Sequence, residues 1–497
     1  MKTYIDVPQF TTLHDIEERE YTLSATQYKT FCINNTNVLK IGDFLDRPLN
    51  RTDLGNEVGS ENYVEHSNVL FIKTKALQEE TYLLNEVSDA FEYIVPSTFI
   101  NMNLKENDII ISKDSNVGEI AILDKDYPNA MLCGGIYRLP VSNNRLYLLA
   151  FIKHQIVRQQ IDFLVPRGST IRHGKTKFLE CFIPVPNVNK EETIKYVECL
   201  MQAIINKEIA IRKKHSKIIT LIDEELEANQ QENLYSYTHP SINEIMELDR
   251  MDSSLYSKDF KEKQHLVRNY INGFSTIEEL GFNISRGQNL QISNIGSSVQ
   301  TKEKKENYYT LILPNYITKY GTTSQCTYLG NKNILKTLNV GDIIFGAEGN
   351  EKGRSLVVFE NNEKTITNIH GITLNQNSQD LTKSVFVKLF LDWYRSKGMI
   401  DAYAVGGNGG SLAIKYWDCL KFPNFAGDVE LSITNEYHND TTYTPQSYTT
   451  STFLAYDDEF NRCAGIYEID KSLKYLKEKL NIAIQNIADD VEVDISF

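Results

Sequence analysis

Between residues 191 and 226 the apolar residues of this chain fall on one helical stripe. Ile194, Val197, Met201, Ile204, Ile211, Ile218 and Ile222 follow a 3,4 spacing that continues through Glu208, His215 and Glu225. Seven of these ten positions are apolar, which predicts an amphipathic helix with a coiled-coil seam. At 1.5 Å per residue such a helix spans roughly 54 Å, too long to bury its seam in one small domain. It needs a partner, and the far end of the chain supplies one. Ile466, Ile469, Leu473, Leu476, Leu480, Ala483 and Ile487 repeat the spacing without a polar break. Two ordinary core helices, each packed on its own domain, are the alternative; the order of the surrounding segments favours the pair.

That order is a repeat. A lead-in of 38 residues precedes short strand-like runs at 69–74, 108–112, 119–123 and 135–141, with Asp, Asn and Gly at the joints. A helical pattern at 146–163, a basic loop and a proline-closed strand at 180–186 follow. Beyond the long helix the series returns. Residues 250–260 match 23–29, 277–287 match 39–47, and 341–349 match 107–115. Residues 353–359 match 118–124, 369–374 match 133–139, 384–396 match the helix at 146–163, and 409–425 match 168–187. Asp108 to Asp342 is 234, Gly118 to Gly353 is 235, Gly135 to Gly371 is 236 and Gly168 to Gly410 is 242. A near-constant offset through ordered elements marks an internal duplication. Residues 427–455, rich in Thr, Asn and Ser, have no counterpart and predict an exposed insertion or an extra hairpin.

The expected fold is therefore α/β (α+β), with two duplicated globular domains joined by two long antiparallel coiled-coil helices. The boundaries expected are 1–188 for the first domain with its lead-in and 189–236 for the first helix. The second domain follows at 237–460 and the second helix at 461–497. Two such units about a pseudo-twofold axis would carry their globular parts at opposite ends of a stiff spacer.

Composition narrows the class without deciding function. A chain of 497 residues that is 41% hydrophobic and 24% charged can build two to four domains with real cores. The start has no signal-peptide core and the longest apolar runs are short, so a cytoplasmic protein without a membrane span is expected. Seven scattered cysteines, with no CxxC pair, read as reduced thiols and not as a disulfide frame or zinc site.

Catalytic constellations are missing. There is no GxxxxGK[ST] loop, and the glycine-dense stretch 406–410 lacks the lysine and preceding strand of a phosphate cradle. No HExxH, no GxSxG and no Pro-Pro occurs, which removes a zincin, a hydrolase elbow and the aromatic motif of an adenine methyltransferase. His173 and His370 sit at non-matching positions and read as structural or surface residues. No catalytic residue, metal ligand or cofactor is expected.

Basic residues do recur in corresponding places, although the formal net charge of −14 argues against a nucleic-acid partner on average. Arg158, Arg167, Arg172, Lys175 and Lys177 face a single acid, Asp162, in a stretch interrupted by Gly168, Ser169 and Gly174. The second half has Lys352 and Arg354 after a GAEGNE turn, Lys415 after GGNGGS, and Lys302, Lys304 and Lys305 in a loop. Such side chains neutralise phosphates and read base edges. The candidate DNA-binding set is Lys113, Arg167, Ser169, Arg172, Lys175, Lys177, Arg286, Lys352, Arg354, Asn408, Ser411 and Lys415.

The pattern of a GDIIxS-type strand, a following VGExAIL, then CGGIYRL, a GST-type loop and a closing FIPVP resembles the target-recognition domains of type I restriction–modification specificity subunits, and the second copy and the two heptad helices extend the resemblance over most of residues 20–490. The resemblance implies two target-recognition domains, each reading one half of a bipartite DNA site, with the helices setting the spacing. It implies no catalytic residues here. It also implies double-stranded DNA, two methyltransferase (modification) subunits and restriction/translocase subunits as partners, in phage defence. Read from residues alone, a protein-binding scaffold and a nuclease built from scattered carboxylates stay open.

Overall fold

The run Ile109–Ser112 is buried on both faces, as an unbroken β-branched segment demands. It is the middle strand of a three-stranded antiparallel sheet, between Ile136–Leu139 and Ile120–Ile122. A second sheet orders Tyr63–Val64, Phe91–Ile94, Leu70–Ile72 and Ala130–Leu132, its last pair parallel. Phe71, Ile72, Leu77, Ile110 and Ala121 share one core beneath them. These elements belong to a computed structural model that describes residues 2–18, 21–87, 89–165, 174–231, 235–360, 364–406 and 409–497, the side chains at 26, 27 and 247 excepted. The chain divides into two units: Met1–Ile209 with Tyr443–Arg462 and Lys471–Phe497, and Ala210–Thr442 with Cys463–Asp470.

The second unit builds the same scheme. Ile343–Gly346 lies between Gly371–Gln376 and Ser355–Val357, and Ser298–Thr301, Thr327–Asn331 and Tyr309–Leu311 form the second sheet. A parallel bridge from Leu311 to Ile366 stands where the fourth strand stands in the first unit. The likeness extends to single hydrogen bonds. The amides of Lys105 and Asn339 both donate to an aspartate three residues on, Asp108 and Asp342, at 2.8 Å. Gly118 donates to Ser112 at 2.8 Å and Gly353 to Gly346 at 2.7 Å, each glycine at a left-handed φ of 81° and 88°. Leu123 donates to Asp108 and Val358 to Asp342, both at 2.9 Å. One match shifts. The register pairs Ser112 with Ile136 and Gly346 with Gly371, so Gly371 corresponds to Ile136 and not to Gly135.

The lead-ins correspond too. Thr12 and Asp15 close a capping box before the helix Leu13–Glu18, and Ser241 and Glu244 do so before Ile242–Leu248. Tyr21 and Asp249 then take left-handed φ of 59° and 51°. Tyr28 and Tyr256 each donate their hydroxyl to the carbonyl six residues back, Thr22 at 2.5 Å and Arg250 at 2.6 Å.

The predicted stripe is one helix of 39 residues, Lys190–Ala228, and its seam residues Val197, Met201, Ile204, Ile211, Ile218 and Ile222 are buried. The C-terminal helix is Ile466–Ala488, with all seven seam residues buried. Within the first unit the two run antiparallel. Asn189 reaches Glu492 at one end, and Glu208 meets Lys477 at the other. Residues 427–455 are not an exposed insertion or a hairpin. Gly427–Asn435 is a helix held on Leu381–Ser396 by a 2.6 Å pair of Lys383 with the buried Glu430. Tyr443, beyond it, belongs to a buried cluster in the first unit.

That cluster centres on Lys207, which is 0% exposed. Its Nζ pairs with Asp457 at 2.8 Å, donates to Asn461 at 3.0 Å, and lies 4.4 Å from the Tyr443 ring centre. Tyr443 and Asn461 complete the carboxylate's hydrogen bonds at 2.7 and 3.0 Å. Burial drives the Lys207 amine down to about 8, with Asp457 pulling it back up. Replacing Lys207 with Met strands the carboxylate and should cost about 3–5 kcal/mol. The double change Lys207→Met with Asp457→Leu should recover most of it. Denaturant unfolding of both variants checks this, and equal losses would refute the pairing.

Candidate nucleic-acid interface

In each unit the middle strand runs into a turn, and a segment arriving from the following helix is hydrogen-bonded to that turn. In the first unit Gly174 donates to the carbonyl of Lys113 at 2.7 Å; in the second Leu412 donates to Ala347 at 2.9 Å. Gly349 adds a donation to Gly409 at 3.2 Å, and Ser411 bridges both Glu348 and Val405. A Cβ at Gly174 would lie 2.6 Å from Val117 Cγ1 and 3.2 Å from the Lys113 carbonyl, so glycine permits the close crossing. The turn and the crossing segment are thus two strips of irregular backbone held together on a sheet. Loops on a rigid frame of this kind are where recognition side chains are usually carried.

Four of the expected residues, Arg167, Ser169, Arg172 and Asn408, lie outside the described residues, as does the match of Gly168 to Gly410. In the first unit the crossing sets Gly174, the neighbour of Lys175, against the Lys113 carbonyl. Lys113 is ion-paired with its neighbour Asp114, while Lys175 and Lys177 are exposed, and Lys175 has a left-handed φ of 47°. Lys177 donates back to the carbonyl of Leu164 at 3.4 Å, closing the loop's stem. An open cleft of about 530 Å³ is lined by residues that include Lys29, Phe31, Lys40, Phe163 and Leu164.

The second unit distributes charge differently. Glu348 on the turn accepts from Arg286 at 3.2 Å and pairs with His370 at 2.7 Å, so a carboxylate sits between two basic groups. The sequence pattern suggested no role for Glu348, because its partners lie 62 and 22 residues away. Lys352 and Arg354 point inward. Lys352 pairs with Asp401 at 2.6 Å, and Arg354 binds Glu351 at 2.5 Å and the Ile317 carbonyl at 3.1 Å. Lys415 is exposed, 4.9 Å over the Tyr416 ring, and Lys302, Lys304 and Lys305 are exposed together in their loop. Position 119 and its counterpart 354 have opposite signs: Glu119 binds Arg158 at 2.6 Å inside the first unit.

Among the described residues no three His, Cys, Asp or Glu side chains group to hold a metal ion, and no helix is long and apolar enough to cross a membrane.

Several solved structures resemble this chain over nearly its whole length. The type-I restriction–modification system S subunit from M. genitalium is 12% identical, with a TM-score of 0.41 covering 92% of this chain and 96% of that one. A chain from a study of complex assembly and conformational transition of the type I R-M system is 11% identical, with a TM-score of 0.27 covering 93% and 98%. The HsdS subunit from Thermoanaerobacter tengcongensis is 10% identical, with a TM-score of 0.26 covering 92% and 97%. No family model and no curated protein matches the chain.

The inward basic residues and the exposed ones should separate by experiment. Arg354→Ala removes a guanidinium from two internal acceptors and should lower stability by about 1–3 kcal/mol. Lys415→Ala should stay within about 0.5 kcal/mol of the unaltered chain. Thermal unfolding of the two variants, side by side, checks the assignment.

Proposed function

We propose that this chain is the DNA sequence-recognition subunit of a type I restriction–modification complex. One observation carries the reading: two units repeat a backbone scheme bond by bond, while the corresponding stretches of sequence after each helix differ in length, glycine content and charge. A repeated frame with divergent loops suits two readers of different half-sites. On this reading 1–188 and 237–460 are the target-recognition domains, and 189–236 and 461–497 are the helices that set the gap between half-sites and dock methyltransferase subunits, two per chain. Restriction/translocase subunits complete the complex, which works in the cytoplasm.

Arg167, Ser169, Arg172, Lys175, Lys177, Asn408, Ser411 and Lys415, with Lys113 and Arg286 at the turns, supply phosphate and base-edge contacts. Lys352 and Arg354 contribute by anchoring the second turn, since Lys352 pairs with Asp401 and Arg354 with Glu351. Affinity then comes from a few loops and falls steeply with salt, whatever the chain's average charge.

The chain itself performs no chemistry. Purified alone, with magnesium and a methyl donor, it should neither cleave nor methylate DNA; turnover by the pure chain in a radiolabel assay would overturn this.

The recognised sequence should be split. Selection from randomised duplexes, with the partner subunits present, should return two half-sites with a fixed gap. Removing one turn from each helix, about 5.4 Å, should shrink that gap by one or two base pairs and leave the half-sites unchanged. Arg167→Ala with Arg172→Ala should weaken the first half-site only, or all DNA binding if both touch phosphates alone. Recovery of one continuous motif, indifferent to helix length, would refute the reading.

A further inference from the structure

The two units part company between the tyrosine turn and the strand that follows it. Tyr28 to Tyr256 is 228 residues. Lys40 and Thr276, whose amides each donate to an acid three residues on, Asp43 and Glu279, are 236 apart. The second unit thus holds eight more residues here. It folds them into the helix Lys258–Arg268, capped by Ser257. In the first unit residues 29–37 make the two-residue strand Thr30–Phe31 and irregular chain.

The second unit's helix has a built seat. Phe260 and Val267, two turns apart on one face, are 4% and 1% exposed. The Phe260 ring meets Tyr403 edge to face at 5.2 Å, and Gln264 donates to the Tyr403 hydroxyl at 3.1 Å. The helix also lies against the strand Phe422–Pro423. The first unit has the same walls, at an offset of 239. Val165 donates to Ile161 at 2.9 Å and Ala404 to Ile400 at 3.1 Å. Pro184 pairs with Val38 as Pro423 pairs with Phe274. Leu164 is therefore the counterpart of Tyr403. In the first unit this seat is open: Leu164, Phe163, Phe31 and Phe182 line the cleft of about 530 Å³, with Lys29, Lys40 and Glu180. Its floor is fixed. Gln160, 1% exposed, accepts from the Phe182 amide at 2.7 Å and donates to the Phe182 carbonyl at 2.8 Å, and Phe31 stacks on Phe182 at 6.0 Å.

We propose that this cleft docks one short amphipathic helix of a partner protein, seated as Lys258–Arg268 is seated in the second unit. The docked helix sets an aromatic residue, and an apolar one two turns later, against Leu164 and Phe182. Two lysines against one carboxylate favour acids on its flanks, where the second unit's own helix carries Lys261, Lys263 and Arg268. Because the second unit fills its seat from its own chain, the site occurs once per chain and the partner binds one to one.

Two peptides of residues 257–269 serve as probes, each stapled at positions 258 and 262 on the outward face to hold the helix. One keeps the natural sequence; the other carries Lys261→Glu, Lys263→Glu and Arg268→Glu. By fluorescence anisotropy the acidic peptide should bind the full chain one to one, at least about tenfold more tightly than the natural one. In the chain, Lys29→Glu with Lys40→Glu should reverse that preference, a result that a misfolded chain could not give. Leu164→Ser should weaken both peptides by about tenfold. Binding of neither peptide, equal binding of both, or a preference for the natural one overturns the proposal. Sedimentation showing that the cleft joins two copies of this chain overturns it too. So does tighter binding of a single-stranded oligonucleotide, which would make the cleft a nucleic-acid site.

Discussion

Glu208 occupies a position in the long helix where the seam calls for an apolar residue. It is 8% exposed and accepts from the Thr81 hydroxyl at 2.7 Å, the Tyr82 amide at 2.9 Å and Lys477 at 2.9 Å. Burial pushes its carboxyl up, yet Lys477, Thr81 and the Tyr82 amide together hold it below the ordinary glutamate value. A buried carboxylate so fully bonded fixes register: sliding the helix by one residue would leave the charge in an apolar seam without partners. Through this one group the helix is tied to the first unit's sheet region and to the C-terminal helix.

The other polar seam positions repeat the device in the second unit. His215 lies 3.3 Å from Asp392, which also binds the fully buried Lys388 at 2.6 Å. Glu225 accepts from the Tyr270 hydroxyl at 2.6 Å. Beside the seam, Asp223 accepts from Trp393 Nε1 at 2.7 Å and from Lys397 at 2.6 Å. Apolar seam residues supply the burial, which is non-directional, while these side chains specify angle and height. The helix is thereby fastened to each unit separately, on either side of the division at Ile209.

The fold was legible where backbone geometry forces residue choice. Gly118 and Gly353 stand at left-handed turns, and Asp108 and Asp342 cap the chain before a strand, so the duplication shows in the letters. At Gly371 the letters misled by one residue, because Gly135 offers the same side chain one step out of register. Polar seam positions looked like defects in a helix, since Thr81, Asp392 and Tyr270 lie far away in sequence. The candidate site was only half legible for the same reason. Lys352 and Arg354 read as loop cations, but Asp401 and the Ile317 carbonyl, which claim them, could not be foreseen from spacing. The 427–455 stretch has a polar composition, yet Glu430 buries itself by pairing with Lys383, a partner 47 residues away.

A duplicated frame that is maintained by main-chain bonds leaves its side chains free to diverge. The bond from Gly118 to Ser112 and that from Gly353 to Gly346 specify the same turn whatever follows at 119 or 354. Position 119 carries an acid bound to Arg158, and position 354 a base bound to Glu351, without disturbing the strands on either side. Charge at the turns can therefore invert between the units at little cost to the fold, because each inversion is neutralised locally. Lys175, Lys177 and Lys415 on the crossing segments are exposed, although Lys177 also donates to the Leu164 carbonyl and Lys415 lies 3.9 Å from Asp249. That division of labour lets a chain of net charge −14 still present locally basic loops. Screening confines the acidic bulk to within about 10 Å of itself at 0.1 M salt. The potential close to each loop is then set by that loop's own charges.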